Sequence, residues 1–192
     1  MRDWYWLRHG PTHAKAMIGW TDLPADLGDT AALARLSAAL PAAAPVISSD
    51  LIRAVATADA VQGDRARLPA LPGLREIHFG DWEGLTHAEA EARDPEIIYA
   101  FWDAPGPVAA PGGESWDTFA ARVNAAVARI EAQVPTGPVI VVAHFGAILT
   151  QVQRALGLGP REAFAHKIDP LSLTHLRFGP GGAEAVCINH RP

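Results

Sequence analysis

Hydrophobic positions along this chain recur in two periods, and the switches between them mark its elements. The aromatic run Trp4-Tyr5-Trp6-Leu7 reads as a buried strand that Gly10 and Pro11 stop. Leu33, Leu36 and Leu40 fall at helical spacing behind Asp29 or Thr30, either of which can cap, and Pro41 and Pro45 end that helix. Val46-Ile47-Ser48 is a short strand, and Ser49-Asp50 offers an N-cap for a helix from Leu51 to about Val61. Residues 68–74 are extended and proline-interrupted, and 74–84 form an irregular loop rich in acids and bases. Residues 85–94 are helical in pattern, and Asp94-Pro95 starts a second short helix through Trp102. A Pro- and Gly-rich loop over 103–113 precedes a long helix, Trp116 to about Gln133, capped by Ser115. Phe119, Val123, Val127 and Ile130 form its inward stripe.

The clearest strand is 138–143. Its continuous β-branched run predicts burial on both faces, hence a central parallel strand. His144 ends it, Phe145-Gly146 turns, and a helix runs from about Ala147 to Leu156. Leu173–Phe178 and Ala185–Asn189 read as two late strands of a hairpin around residues 179–182. Strands alternating with helices predict an α/β fold with a mainly parallel sheet. The 192 residues suit one domain, with residues 78–115 as an insertion covering the site.

Composition narrows the function classes. A net charge of −5 argues against a nucleic-acid binder. No apolar run is long enough for a membrane span, and the start lacks a signal-peptide h-region. The single cysteine, Cys187, permits no disulfide framework, reads as a core residue, and fits a cytoplasmic location. The eight histidines show no metal-ligand spacing, so neither a metal nor an organic cofactor is implied.

Strand ends now matter. In open α/β sheets ligands bind outside the carboxyl ends of the strands. Arg8 and His9 end the first strand, Arg53 opens the helix after the second, and His144 ends the central one. A cation in the first turn of a helix opposes the helix dipole, and a bound anion shared with the free N–H groups resolves that conflict. The plainer reading is an exposed arginine in a salt bridge. Arginines bind phosphate through their planar fork. A neutral imidazole can attack phosphorus, and nearby arginines lower its pKa. Glu76 is the candidate acid for the leaving oxygen, ahead of Asp81 and Glu83. His78, His87, His166, His175 and His190 have no partner at useful spacing, Glu114 reads as a solvated loop residue, and Trp20, Trp82, Trp102 and Trp116 read as packing.

Five blocks in order resemble the histidine phosphatase superfamily, also called phosphoglycerate-mutase-like. They are Leu7-Arg8-His9-Gly10-x-Thr12, Ser48-Ser49-Asp50-Leu51-x-Arg53, Leu74-x-Glu76-x-x-Phe79-Gly80-Asp81-Trp82-Glu83-Gly84, Gly112-Gly113-Glu114-Ser115 and Val141-Val142-Ala143-His144-x-Gly146. The resemblance implies a three-layer α/β/α sandwich with a mainly parallel mixed sheet. It implies His9 as the phosphorylated nucleophile, Arg8, Arg53 and His144 in the phosphate pocket, and Glu76 as proton donor. Thr12, Lys15, Trp20 and Glu83 are assigned to substrate binding. Pro11 and Lys15 depart from the family, which often has an acidic residue and an asparagine there. The Phe-Gly-Asp-Trp-Glu block and the loop 19–24 most resemble alpha-ribazole phosphatases. The expected function is hydrolysis of a small phosphorylated metabolite, with a phosphoglycerate mutase and a non-catalytic phosphate-binding module as alternatives. Oligomeric state is not legible.

Overall fold

A computed structural model describes all 192 residues. Five strands form one mixed sheet: β1 (Arg2–Arg8), β2 (Val46–Ser48), β3 (Val139–Ala143), β4 (Leu173–Gly179) and β5 (Gly182–His190). Their order is β2-β3-β1-β4-β5. β3 lies parallel to both β2 and β1, whereas β4 is antiparallel to β1 and to β5. The parallel half carries the strand ends that matter, because Arg8 pairs with Ala143 and places His9 beside His144. All five residues of β3 are buried, as the β-branched run predicts.

Each sheet face has its own apolar cluster, which makes three layers. Alternation along β1 sends Trp4 and Trp6 to one face and Leu7 to the other. The smaller cluster sits under α1 (Thr30–Ala38) and α2 (Ile52–Gln62), through Leu33, Leu36, Ala54, Ala58 and Val61. The larger one packs α5 (Trp116–Gln133) and α6 (Phe145–Leu156) against Trp4, Trp6, Val139 and Val141. Residues 78–115 hold two short helices, α3 (His87–Arg93) and α4 (Pro95–Asp103). Trp82, Ala90, Ile98, Phe101 and Ala110 from this segment join the larger cluster.

Several local expectations change. The helix after β3 starts at Phe145, with no turn, because His144 itself is its extended N-cap. Ser49 and Asp50 do not cap α2: Asp50 pairs with Arg75, and Asp22 from a distant loop accepts the Ile52 N–H at 2.7 Å. A short helix, α7 (Pro160–Ala163), lies where no element is predicted. Cys187 is only half-buried on the edge strand β5, at the rim of the smaller cluster.

The 74–84 and 110–115 loops are one structure. Asp81 N–H donates to Pro111 O at 2.7 Å, and Glu114 N–H to His78 O at 2.9 Å. A Cβ on Gly80 would overlap the Pro111 carbonyl, and Gly80 has a φ of +56°, so this close approach needs glycine. Glu114 is no solvated residue. Its carboxylate takes the His78 N–H and two guanidinium bonds from Arg122.

Candidate active site

His9 continues the β1–β3 ladder, its N–H donating to Ala143 O at 3.0 Å, before Gly10 leaves the sheet. The Gly10 N–H donates to Thr57 Oγ1, whose hydroxyl donates to Arg53 O, so α2 is tied to the end of β1. The His9 ring is buried, and its Nδ1 lies 2.7 Å from Gly10 O. A carbonyl can only accept, so Nδ1 carries the hydrogen and Nε2 keeps its lone pair. That lone pair meets Arg53 Nε at 3.3 Å. Burial lowers the His9 pKa to about 3; the bond to Gly10 O opposes it, and the smaller effects of the Arg53 and Arg8 charges add to the lowering. The ring is therefore neutral at pH 7.

His144 lies edge-on to His9, centroids 5.0 Å apart. It is fully buried, and neither ring nitrogen meets a protein partner. Burial, with His9 and the arginines adding to it, holds its pKa well below the ordinary histidine value. His144 stands behind His9 rather than among the residues that line the cavity, and its neutral, unpaired imidazole is a donor in search of an acceptor.

Arg53 is 1% exposed and meets no carboxylate, which removes the exposed salt-bridge reading. Its Nη1 donates to Thr21 O at 2.8 Å and its Nη2 to Gly19 O at 2.5 Å. Arg8 donates from Nη1 to Ile168 O at 2.6 Å and packs over the Phe145 ring, while its buried Nε has no partner.

Glu76 enters from the 74–84 loop, between α2 and α3. One carboxylate oxygen accepts the Ile77 N–H at 2.9 Å and the other the Gly146 N–H at 3.0 Å, at the N-terminus of α6. Burial raises its pKa, outweighing these bonds and the nearby Arg53 and Arg8 charges. A carboxyl shifted upward holds its proton better than an ordinary glutamate, the direction a proton donor needs.

Arg8, His9, Arg53 and Glu76 line one cavity of about 230 Å³. Thr12 also lines it. Lys15 is exposed and does not. Trp20 lies outside the wall: its ring is held by Arg75, Arg122 and His78, and its Nε1 donates to Glu76 O at 2.9 Å. Glu83 is spent on backbone and hydroxyl donors from Gly19, Trp20, Thr21 and Phe79. Sequence reasoning missed Arg122, whose guanidinium donates to Glu76 O, Arg75 O and Gly73 O. It also missed Asp3, which accepts from His175 at 2.6 Å across the β1–β4 pair.

The sequence matches the Histidine phosphatase superfamily (branch 1) over residues 4–191. The bifunctional protein Rv2228c of Mycobacterium tuberculosis is 33% identical over 94% of this chain, which spans 51% of that relative. The chain thus covers about half the length of such a curated relative. The adenosylcobalamin/alpha-ribazole phosphatase of Escherichia coli is 33% identical over 76% of this chain and 68% of its own length. Among solved structures, mycobacterial glucosyl-3-phosphoglycerate phosphatase superposes with a TM-score of 0.85 at 29% identity, covering 100% of both chains. A match running from Trp4 to Arg191 takes in every cavity residue described above and all of the sheet but the first two residues of β1, and the chain belongs to the histidine phosphatase superfamily, branch 1.

Proposed function

We propose that this protein hydrolyses a small phosphate monoester through a phosphohistidine at His9. The observation that carries the reading is the His9 ring itself: neutral, with Nδ1 fixed on Gly10 O and Nε2 bare beside Arg53. Arg53, Arg8 and His144 surround the position where phosphate oxygens would sit, and Arg53 Nε turns from His9 to the substrate when phosphate enters. His9 Nε2 attacks phosphorus, the bond to the leaving oxygen breaks, and Glu76 gives that oxygen its proton. Glu76, now a carboxylate, takes a proton from water as the water oxygen attacks phosphorus. The P–N bond breaks and inorganic phosphate leaves.

The leaving group in this reading is uncharged and carries an apolar, aromatic part. Beyond Arg8 and Arg53 the cavity wall has no cation; Met17, Ile18, Phe79 and Phe145 dominate it. A leaving group bearing a carboxylate, such as a glycerate, finds no partner there. A second, apolar cavity of about 40 Å³ adjoins across Glu76, Phe79 and Phe145, walled by Phe101, Trp102 and Phe164. These surfaces suit an aromatic leaving group, and alpha-ribazole phosphate is our first candidate.

The test is hydrolysis of p-nitrophenyl phosphate in EDTA by wild type and His9→Ala, followed by alpha-ribazole phosphate, 3-phosphoglycerate and glucosyl-3-phosphoglycerate. Turnover resists EDTA and is lost in His9→Ala, and alpha-ribazole phosphate outranks both glycerate esters in kcat/KM. Turnover surviving in His9→Ala would overturn the phosphohistidine, and a glycerate ester in first place would overturn the apolar leaving group.

A further inference from the structure

Glu83 sits in the matching block yet faces away from the cavity, and its bonding is unusually dense. One carboxylate oxygen accepts from Gly19 N–H (3.1 Å), Thr21 N–H (3.2 Å) and Thr21 Oγ1 (2.7 Å). The other accepts from Trp20 N–H (2.7 Å) and Phe79 N–H (3.2 Å). Three consecutive N–H groups converging on one anion wrap the chain around it, as in an anion-binding nest. Burial alone raises the Glu83 pKa, and the donors from Thr21, Trp20, Gly19 and Phe79 more than offset it, so the group stays ionised.

The same loop has a second side. Gly19 O and Thr21 O accept both terminal nitrogens of Arg53. Glu83 and Arg53 form no ion pair, and the loop lies between them. With one hydrogen of each terminal nitrogen held by the loop, the guanidinium is fixed with its Nε toward His9. The loop also touches the acid, since Trp20 Nε1 donates to Glu76 O. The fit is tight: a Cβ on Gly19 would overlap Ile77 O and come within 2.5 Å of Glu83 Oε1.

We infer that Glu83 is a positioning residue, which sets the phosphate-binding arginine Arg53 by shaping the Gly19–Thr21 loop. The inference rests on the phosphate site proposed above. Glutamine cannot substitute, because it has one acceptor oxygen and its amide nitrogen would face two N–H groups in either orientation. In Glu83→Gln the loop opens, the carbonyls turn, and Arg53 loses its clamp.

The experiment is a double-mutant cycle read by calorimetric titration of inorganic phosphate, which needs no turnover. Arg53→Ala weakens phosphate binding by roughly tenfold or more, the loss of a charge-assisted bond. Glu83→Gln weakens it by about tenfold in wild type, but by less than about twofold when Arg53 is already alanine. In turnover of p-nitrophenyl phosphate, KM rises at least as much as kcat falls. Thr21→Val removes one of the five donors without touching charge, and it weakens phosphate by about threefold only when Arg53 is present. It carries the same test if Glu83→Gln does not fold. Equal losses in both backgrounds, or a Glu83→Gln dissociation constant within twofold of wild type while Arg53→Ala weakens, would overturn the inference. An unchanged constant in Arg53→Ala would instead overturn the phosphate site on which it rests.

Discussion

Replacing Gly146 by alanine puts a methyl group where Glu76 keeps its carboxylate. Gly146 has ordinary helical geometry in α6, so no backbone strain demands glycine. The constraint is space. A Cβ there would fall well inside contact distance of Glu76 Oε1, with Phe119 Cε1 at 3.0 Å and Cζ at 3.2 Å behind it. Phe119 is fully buried and cannot retreat, so the carboxylate must move by roughly 1 Å. The Gly146 N–H bond to Glu76 Oε2 breaks with that shift. Alanine in a helix gains about 0.5–1 kcal/mol over glycine, and leaving a buried acceptor unsatisfied costs about 1–3 kcal/mol. The net loss is about 1 kcal/mol, a Tm shift of about 2–4 °C for a chain of this size. Catalysis suffers far more, because a misplacement of about 1 Å costs roughly 10²-fold. The loss depends on the leaving group. An alkyl phosphate, whose leaving oxygen needs the proton, loses about 10²-fold in kcat/KM, whereas p-nitrophenyl phosphate loses less than about tenfold. Thermal unfolding with steady-state kinetics on both esters measures this. Equal losses on the two esters would refute the reasoning, since the damage would then lie outside proton donation.

Two pH dependences follow from the same site. His9 has a folded pKa near 3 against about 6.5 unfolded, so between these values the unfolded chain binds the proton first and stability falls as pH falls. The His9 share from pH 6.5 to 4 is on the order of 3 kcal/mol, His144 adds in the same direction, and urea midpoints in His9→Gln should slope less steeply over that window. The rate runs oppositely on the alkaline side: Glu76 must be protonated, so kcat/KM descends as pH rises through its raised pKa. Glu76→Gln should cost roughly 10²–10⁴-fold on alkyl phosphates and lose that descending limb in a pH–rate profile.

What could be read from the chain alone, and what could not, separates along a physical line. β1, β3 and α5 announce themselves because burial writes a pattern into the chain, an unbroken apolar run for the two strands and a 3.6 period for the Phe119–Ile130 stripe. His9 and His144 are legible for a related reason: each follows an apolar run, and parallel pairing of Arg8 with Ala143 brings the two strand ends together. Side-chain hydrogen bonds write no period. Arg122 occupies a polar position of α5, where pattern reasoning sees only a solvated face, yet it grips three carbonyls of the segment that carries Glu76. Asp3 and His175 are 172 residues apart and meet through sheet register. Glu83 shows the limit most plainly. Its place in the block marks it as part of the site, but the direction of its carboxylate is set by five donors, four of them on the distant 19–21 loop. A motif thus identifies which residues a site spends its polar groups on, while the partners that orient them are chosen by tertiary packing. The residues that hold Arg53 and Glu76 in place are for that reason the ones where substitution should be most informative.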